Sequence, residues 1–381
     1  MKPILLCFGT RPEAIKMCPL VLAFRRREIP VKVCLTGQHR ELVTEVMMTF
    51  GVRADYDLAV MREGQGLAAL TARILTGVDE VLAEIQPSLL LVHGDTTSAM
   101  AAALAAFYRH IPVGHVEAGL RTHDLSAPFP EEFNRLTVGA LSTLDFAPTE
   151  GARANLLREG KAAERVFVTG NTVADAVAFT VREDFEHPLL SRMKERPFVL
   201  LTCHRRENLP RLAEIFLALR AVAERFPDIA FLFPLHPNPA VREPAERLFG
   251  GVDNVLLTEP LPVAVLHNLL ARCEMVVTDS GGLQEEALTL GKPVAVLRDT
   301  TERPEGLQTG GAVLLGTEPR AIVSRLTALL REPDEIKARA ALPSPYGGAG
   351  ACDKIVSRCI FFLTPLKASC YNEKNVKEML P

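Results

Sequence analysis

Short apolar runs alternate with longer amphipathic stretches along most of the chain. Runs at 3–8 (PILLCF), 31–35 (VKVCL), 88–93 (SLLLVH), 112–117 (PVGHVE) and 165–170 (RVFVTG) predict five strands. The alternation restarts at 197–202 (PFVLLT) and continues through 229–235 (IAFLFPL), 254–258 (NVLLT), 273–278 (CEMVVT) and 293–297 (PVAVL). Continuous apolar strands separated by helical patterns indicate parallel sheets covered on both faces. Between the two sets, 183–197 (EDFEHPLLSRMKERP) is charged, contains proline and lacks a clean period, so it reads as a linker. The expectation is an α/β chain of two doubly wound domains, over 1–182 and 183–348. Ligand is then expected in the cleft at the carboxyl ends of the strands. A helical stretch at 349–363 follows, and 364–381 is a polar tail with weak patterning.

Composition narrows this picture only a little. A chain of 381 residues exceeds the usual size of one core, which agrees with two domains. The net charge of −3 supplies no general attraction to nucleic acid or membrane, so an anionic ligand must be held by local groups. The eight cysteines form no C-x-x-C pair, and several lie in apolar runs where the thiol acts as a small hydrophobe. A reduced, cytoplasmic protein is the simplest expectation. The apolar run ILLCF is too short for a signal peptide, and no run is long enough to span a bilayer.

Polar residues gather just after the strands. The first strand leads into FGTRPEAIKM, where Pro12 suits the first helical position and Arg11 and Lys16 bracket the helix start. Cations there oppose the helix dipole, which points to an anion nearby. G-x-G-x-x-G is absent, so a nicotinamide cofactor is not supported. Asp95 in VHGDTTS would cap the Ala-rich helix that follows, whereas Glu117 in HVEAGLRT is no capping residue and has less structural reason to be there. Glu131 and Glu132 stand in the first turn after Pro130, where acidic residues suit the dipole. Three carboxylates, Asp95, Glu117 and Glu131, near the strand ends of one sheet favour acid/base chemistry.

In the second half, CHRREN brings His204, Arg205 and Arg206 to the end of a strand. LHPNP brings His236 and TERPEG brings Glu302 and Arg303. In TDSGGLQEEA, the amides of Ser280, Gly281 and Gly282 open a helix and make a cradle for phosphate oxygens. Glu286, a turn later, can accept from two ribose hydroxyls. Bare amides followed by a carboxylate suit a nucleoside diphosphate better than a free anion, and a nucleotide-sugar cleft is the best physical reading.

Ten segments then occur in one order: FGTRPEAIKM, TGQH, VHGDTTS, HVEAGLRT, PEEFNR, GNTVADA, CHRREN, LHPNP, DSGGLQEEA and TERPEG. Together they resemble the non-hydrolysing UDP-N-acetylglucosamine 2-epimerases over roughly residues 2–360. The resemblance implies two Rossmann-like domains in the arrangement of GT-B glycosyltransferases, with a last helix, 349–363 here, crossing back to the first domain. It implies interconversion of UDP-GlcNAc and UDP-ManNAc without a cofactor. UDP is eliminated across C1–C2 to give 2-acetamidoglucal and is then re-added. Such chemistry needs a base for C2–H, an acid on the other face, and cations that retain UDP between the steps.

By motif, the resemblance puts Asp95, Glu117, Glu131 and His204 in catalytic positions, with base and acid left open. Arg11, Lys16, Gln38, His236, Ser280, Gly281, Gly282, Glu286 and Arg303 fall on ligand-binding positions. It also implies a homodimer and, in some bacterial members, a second UDP-GlcNAc as allosteric activator. The sequence departs from the family at four places. Leu288 stands for Pro in QEEAP, SPYGGA (344–349) replaces NPYGDG, and Glu41 and Gly64 stand where allosteric members carry Gln and Arg. Rival readings are a hydrolysing epimerase that releases ManNAc and UDP, a GT-B glycosyltransferase, and a silent nucleotide-sugar sensor. A further rival is a metal hydrolase using His93-x-Asp95 and His115-x-Glu117, since alternate strand residues share a face.

Overall fold

A computed structural model describes residues 2–364 apart from 39, 63 and 195. Residues 365–381 of the polar tail lie outside the described residues. The first sheet contains β1 (Ile4–Phe8), β2 (Val31–Leu35), β3 (Tyr56–Asp57), β4 (Leu89–His93), β5 (Val113–Val116), β6 (Leu144–Ala147) and β7 (Val166–Val168). The second contains β8 (Phe198–Thr202), β9 (Ala230–Pro234), β10 (Val255–Thr258), β11 (Met275–Thr278), β12 (Val294–Val296) and β13 (Ala312–Leu314). All ten expected strands form; β3, β6 and β13 are additional.

Among the described residues the strand orders are β3-β2-β1-β4-β5-β6-β7 and β10-β9-β8-β11-β12-β13, parallel throughout. Each order reverses direction once, between β1 and β4 in the first sheet and between β8 and β11 in the second. Both are switch points, where the following helices leave on opposite faces and open a crevice. The sequences that leave these four strands are FGTRPE, HGDTTS, CHRREN and DSGG, so topology gathers four of the ten segments at two crevices.

The strands are buried because both faces are covered. Ile4, Leu6 and Phe8 pack in one core and Leu5 and Cys7 in another, on the opposite face of the same strand. Val199 and Leu201 are separated from Phe198 and Leu200 in the same way. The expected linker is not bare: the short helix Pro188–Arg192 interrupts it, and Leu189 and Met193 are buried against the second sheet.

The helix Ala351–Leu363 returns to the first sheet as expected. Ile355, Val356 and Cys359 join the core formed by β1 and the helix Arg11–Arg26. Despite the altered SPYGGA segment, its N-terminus is satisfied from elsewhere. Asp175, on the helix Val173–Thr180, accepts from Gly350 N at 2.9 Å and Cys352 N at 3.3 Å. Leu288 is buried against Gly306 and Gly311, where a Cβ would come within 2.8 and 2.7 Å of its methyl carbons.

Candidate active site

The first crevice is organised by buried charge. Glu117 follows β5 with φ of +63°, a left-handed conformation that is strained for a side chain of this size. Its Oε2 accepts from Lys16 Nζ and from Asn171 Nδ2 at 3.0 Å, and lies 3.6 Å from His93 Nε2. Burial alone would raise its pKa, but Lys16 and His93 outweigh burial and hold Glu117 well below the usual carboxylate range. Lys16 itself is 4% exposed and also donates to Glu285 Oε2 at 2.6 Å. Burial pushes its pKa down, and the two carboxylates reverse that and raise it. The anions beside this helix start therefore include two protein carboxylates, one from each sheet unit.

Glu285 in turn accepts from Arg303 Nε at 2.7 Å, so an unbroken chain of charges runs from Glu117 through Lys16 and Glu285 to Arg303. Arg303 lies directly over the start of the helix Gly281–Thr289. A Cβ on Gly281 would meet its Nη1 at 2.4 Å, so only glycine admits the guanidinium there. The Ser280 hydroxyl caps the helix by accepting from Leu283 N at 3.5 Å.

Asp95 and Glu131 form a second group. Arg135 reaches Asp95 Oδ2 from Nε at 2.9 Å and from Nη2 at 2.7 Å, and Asn134 Nδ2 donates to Asp95 O at 2.8 Å. Glu131 begins the same helix, Glu131–Leu141. Burial first, and then the charge of Asp95, raise the pKa of Glu131, while Arg135 and Arg205 pull it down. Its neighbour Glu132 is structural: it accepts from the amides of Thr122 and His123 at 3.1 and 2.9 Å and from Arg135 at 3.0 Å.

At the second crevice the ring of His204 stacks on that of His236, centroids 5.0 Å apart. Burial, then the neighbouring His204, lower the pKa of His236. Asp279, fully buried, accepts through Oδ2 from His204 N (2.9 Å), Arg205 N (2.8 Å) and Asn208 Nδ2 (3.0 Å). One carboxylate oxygen thus fixes the loop carrying His204. Arg205 donates to Glu302 Oε1 at 3.1 Å, and three arginines, 205, 298 and 303, overcome burial to hold Glu302 ionised far below its ordinary range.

Arg11 and Gln38 are partly buried, and Glu286 is buried. Arg11 Nη2 donates to Leu261 O at 2.8 Å, another tie between the two sheet units. Gln38 accepts from Ser98 Oγ at 3.0 Å, and Ser98 pairs with Thr36 at 2.8 Å. The strand-end pairs do not converge as metal ligands: His115 Nε2 is bonded to Gly94 O at 2.7 Å, and burial lowers its pKa to about 4. Among the described residues no group of three or more His, Cys, Asp or Glu is arranged to hold an ion.

A family model described as UDP-N-acetylglucosamine 2-epimerase matches residues 23–359. The chain belongs to the UDP-N-acetylglucosamine 2-epimerase family. It is 49% identical to the UDP-N-acetylglucosamine 2-epimerase of Bacillus subtilis over 360 residues, covering 94% of this chain and 95% of that one. The crystal structure of a Listeria monocytogenes protein described as a putative UDP-N-acetylglucosamine 2-epimerase superposes with a TM-score of 0.92 at 44% identity, covering 95% of this chain and 96% of that chain. The UDP-GlcNAc 2-epimerase of Neisseria meningitidis, solved bound to UDP-GlcNAc, superposes with a TM-score of 0.89 at 42% identity, covering 94% and 100%.

In this epimerase-family chain, several residues at the site escaped sequence reasoning. Glu285 and Asp279 stand inside a quoted segment yet looked like ordinary helix and turn residues. Arg135 and Asn171 lie in PEEFNR and GNTVADA, whose polar residues carried a signal that motif reading did not use. Nothing local marks His267, whose surroundings are apolar in sequence.

Proposed function

We propose that this epimerase-family chain interconverts UDP-N-acetylglucosamine and UDP-N-acetylmannosamine without net hydrolysis. It does so by eliminating UDP to 2-acetamidoglucal and adding it back after reprotonation of C2. The observation that carries this reading is the split between two carboxylates near one crevice. Glu117 is held ionised by Lys16, and Glu131 is kept easier to protonate by burial. Carboxyl groups whose environments push their titrations apart are suited to act as base and acid on opposite faces of one carbon. Asp95, clamped by Arg135, and His204, on the loop fixed by Asp279, complete the catalytic set.

UDP is held across the phosphates by the amides of Gly281 and Gly282 with Arg303, and at the ribose by Glu286. The Ser280 amide donates instead to Thr278 Oγ1 at 2.9 Å, which leaves Ser280 to shape the turn into the helix. Arg11, Lys16, Gln38 and His236 line the rest of the cleft. The links between the two sheet units, Arg11 to Leu261 and Lys16 to Glu285, favour closure around the glucal, which must be kept from water. Buried free thiols suit a reducing cytoplasm. The chain acts as a homodimer, with apolar surface available from the exposed Phe107, Tyr108, Phe129 and Phe133, and light scattering on the purified protein tests this. Activation by a second UDP-GlcNAc would appear as a sigmoidal dependence of initial rate on substrate.

Proton NMR with UDP-GlcNAc in deuterated water tests the main reading. UDP-ManNAc with deuterium at C2 is the expected product. Accumulating free ManNAc and UDP would replace it with the hydrolysing reaction.

A further inference from the structure

Two buried polar atoms in the second sheet unit face each other without bonding. His267, on the helix Val263–Leu270, is 0% exposed, and its Nε2 lies 3.5 Å from Oε2 of Glu286. Glu286 is 7% exposed, and neither of these two atoms has a hydrogen-bond partner among the described residues. Buried polar atoms left unpaired are costly, and here one donor and one acceptor would satisfy each other.

The other side of the imidazole is already engaged. Nδ1 lies 2.7 Å from the hydroxyl of Thr180, the last residue of the helix Val173–Thr180. Asn268 ties the same two helices by donating to Thr180 O at 2.7 Å, so the ring has a fixed seat. The Thr180 hydroxyl has one proton, for which Ala176 O at 3.0 Å competes with Nδ1 at 2.7 Å. The shorter contact and the carboxylate facing Nε2 both favour donation to Nδ1, which leaves the ring proton on Nε2, pointing at Glu286. Closing the gap by about 0.6 Å gives an ordinary N–H···O bond.

We propose that His267 is the positioning residue for Glu286. Its Nε2–H holds Oε2, so that Oε1 is presented to the ribose hydroxyls of a uridine nucleotide. Oε1 lies on the side of the helix start, 4.0 Å from where a Cβ on Gly282 would be. Because it acts through another residue, His267 sets how well the ribose is read, not whether the diphosphate binds. This inference rests on the nucleotide-binding reading above.

Calorimetric titration of the full chain with UDP and with 2′-deoxy-UDP tests it in wild type, His267→Phe, His267→Gln and Thr180→Val. Wild type is expected to prefer UDP about tenfold, the scale of one charge-assisted hydrogen bond. His267→Phe reduces that preference to within about twofold and leaves 2′-deoxy-UDP affinity unchanged. His267→Gln, whose amide can donate from nearly the same place, restores most of the preference. Thr180→Val frees the ring and lowers it in part, which keeps the test available should the phenylalanine variant not fold.

A merely structural role would weaken both nucleotides alike, and that result overturns the proposal. So does a tenfold preference surviving in a folded His267→Phe chain, or surviving in full in Thr180→Val. Wild type binding both nucleotides equally would remove ribose reading and this proposal while leaving nucleotide binding intact. Wild type binding neither would remove the functional reading itself and the proposal with it.

Discussion

Gly281→Ala sets local propensity against tertiary packing. Gly281 opens the helix Gly281–Thr289 and is not among the residues with positive φ, so alanine would meet no backbone strain there. Helix propensity alone favours the change by about 1 kcal/mol. The added Cβ, however, would lie 2.4 Å from Arg303 Nη1 and 2.6 Å from Cζ. A free arginine would swing aside at little cost. Arg303 is not free: it is 9% exposed and bonded through Nε to Glu285 at 2.7 Å. Displacing it forfeits at least one charge-assisted hydrogen bond, about 1.5–3 kcal/mol. The net expectation is destabilisation by roughly 0.5–2 kcal/mol. Glu285 also holds Lys16, and through it Glu117, so kcat/KM should fall about tenfold or more. Thermal unfolding and initial rates of epimerisation, measured on the same preparations, check both. A variant that is stabilised by about 1 kcal/mol with unchanged kcat/KM would refute the claim that Arg303 is pinned.

Other perturbations follow from the same geometry. Lys16→Met leaves Glu117 and Glu285 buried without their shared cation. A loss of roughly 3–5 kcal/mol and of turnover is expected, and an unchanged melting temperature would contradict it. Glu131 titrates above its ordinary 4.5, so the stability linked to it is present below that pH and lost as pH rises through its higher folded value. Glu131→Gln should therefore melt higher than wild type at neutral pH while losing turnover. The melting difference closes as pH falls toward 4.5, and a pH-independent difference would count against the assignment. Asp279→Ala strips the acceptor from His204 N, Arg205 N and Asn208 Nδ2 and should lower kcat with UDP affinity largely kept; a wild-type kcat would show that the His204 loop holds without it.

The two sheets were legible because their strands are apolar on both faces, a pattern that survives without knowledge of any partner. β3 escaped because it is two residues long, and β13 because only three residues, AVL, follow a pair of glycines. β6 escaped because LDFA carries Asp145, a charge that looks wrong for a buried strand until Ser142 Oγ at 2.6 Å and Lys161 at 3.2 Å are seen to meet it. The site divides along the same line. Which residues stand at strand ends is a local fact, readable from HGDTTS or DSGGLQEEA alone.

What those residues are paired with is not local. Lys16 and Glu285 are 269 positions apart, and Thr180 and His267 are 87 apart. The Gly281 contact with Arg303 depends on a loop beyond the next strand. Periodicity and backbone preference act over a few residues, so the sequence by itself determined the elements, the class of fold and the candidate chemistry. Only the order of strands in each sheet, and the packing of one sheet unit on the other, decided which charges share a proton, a cation or a seat in the core.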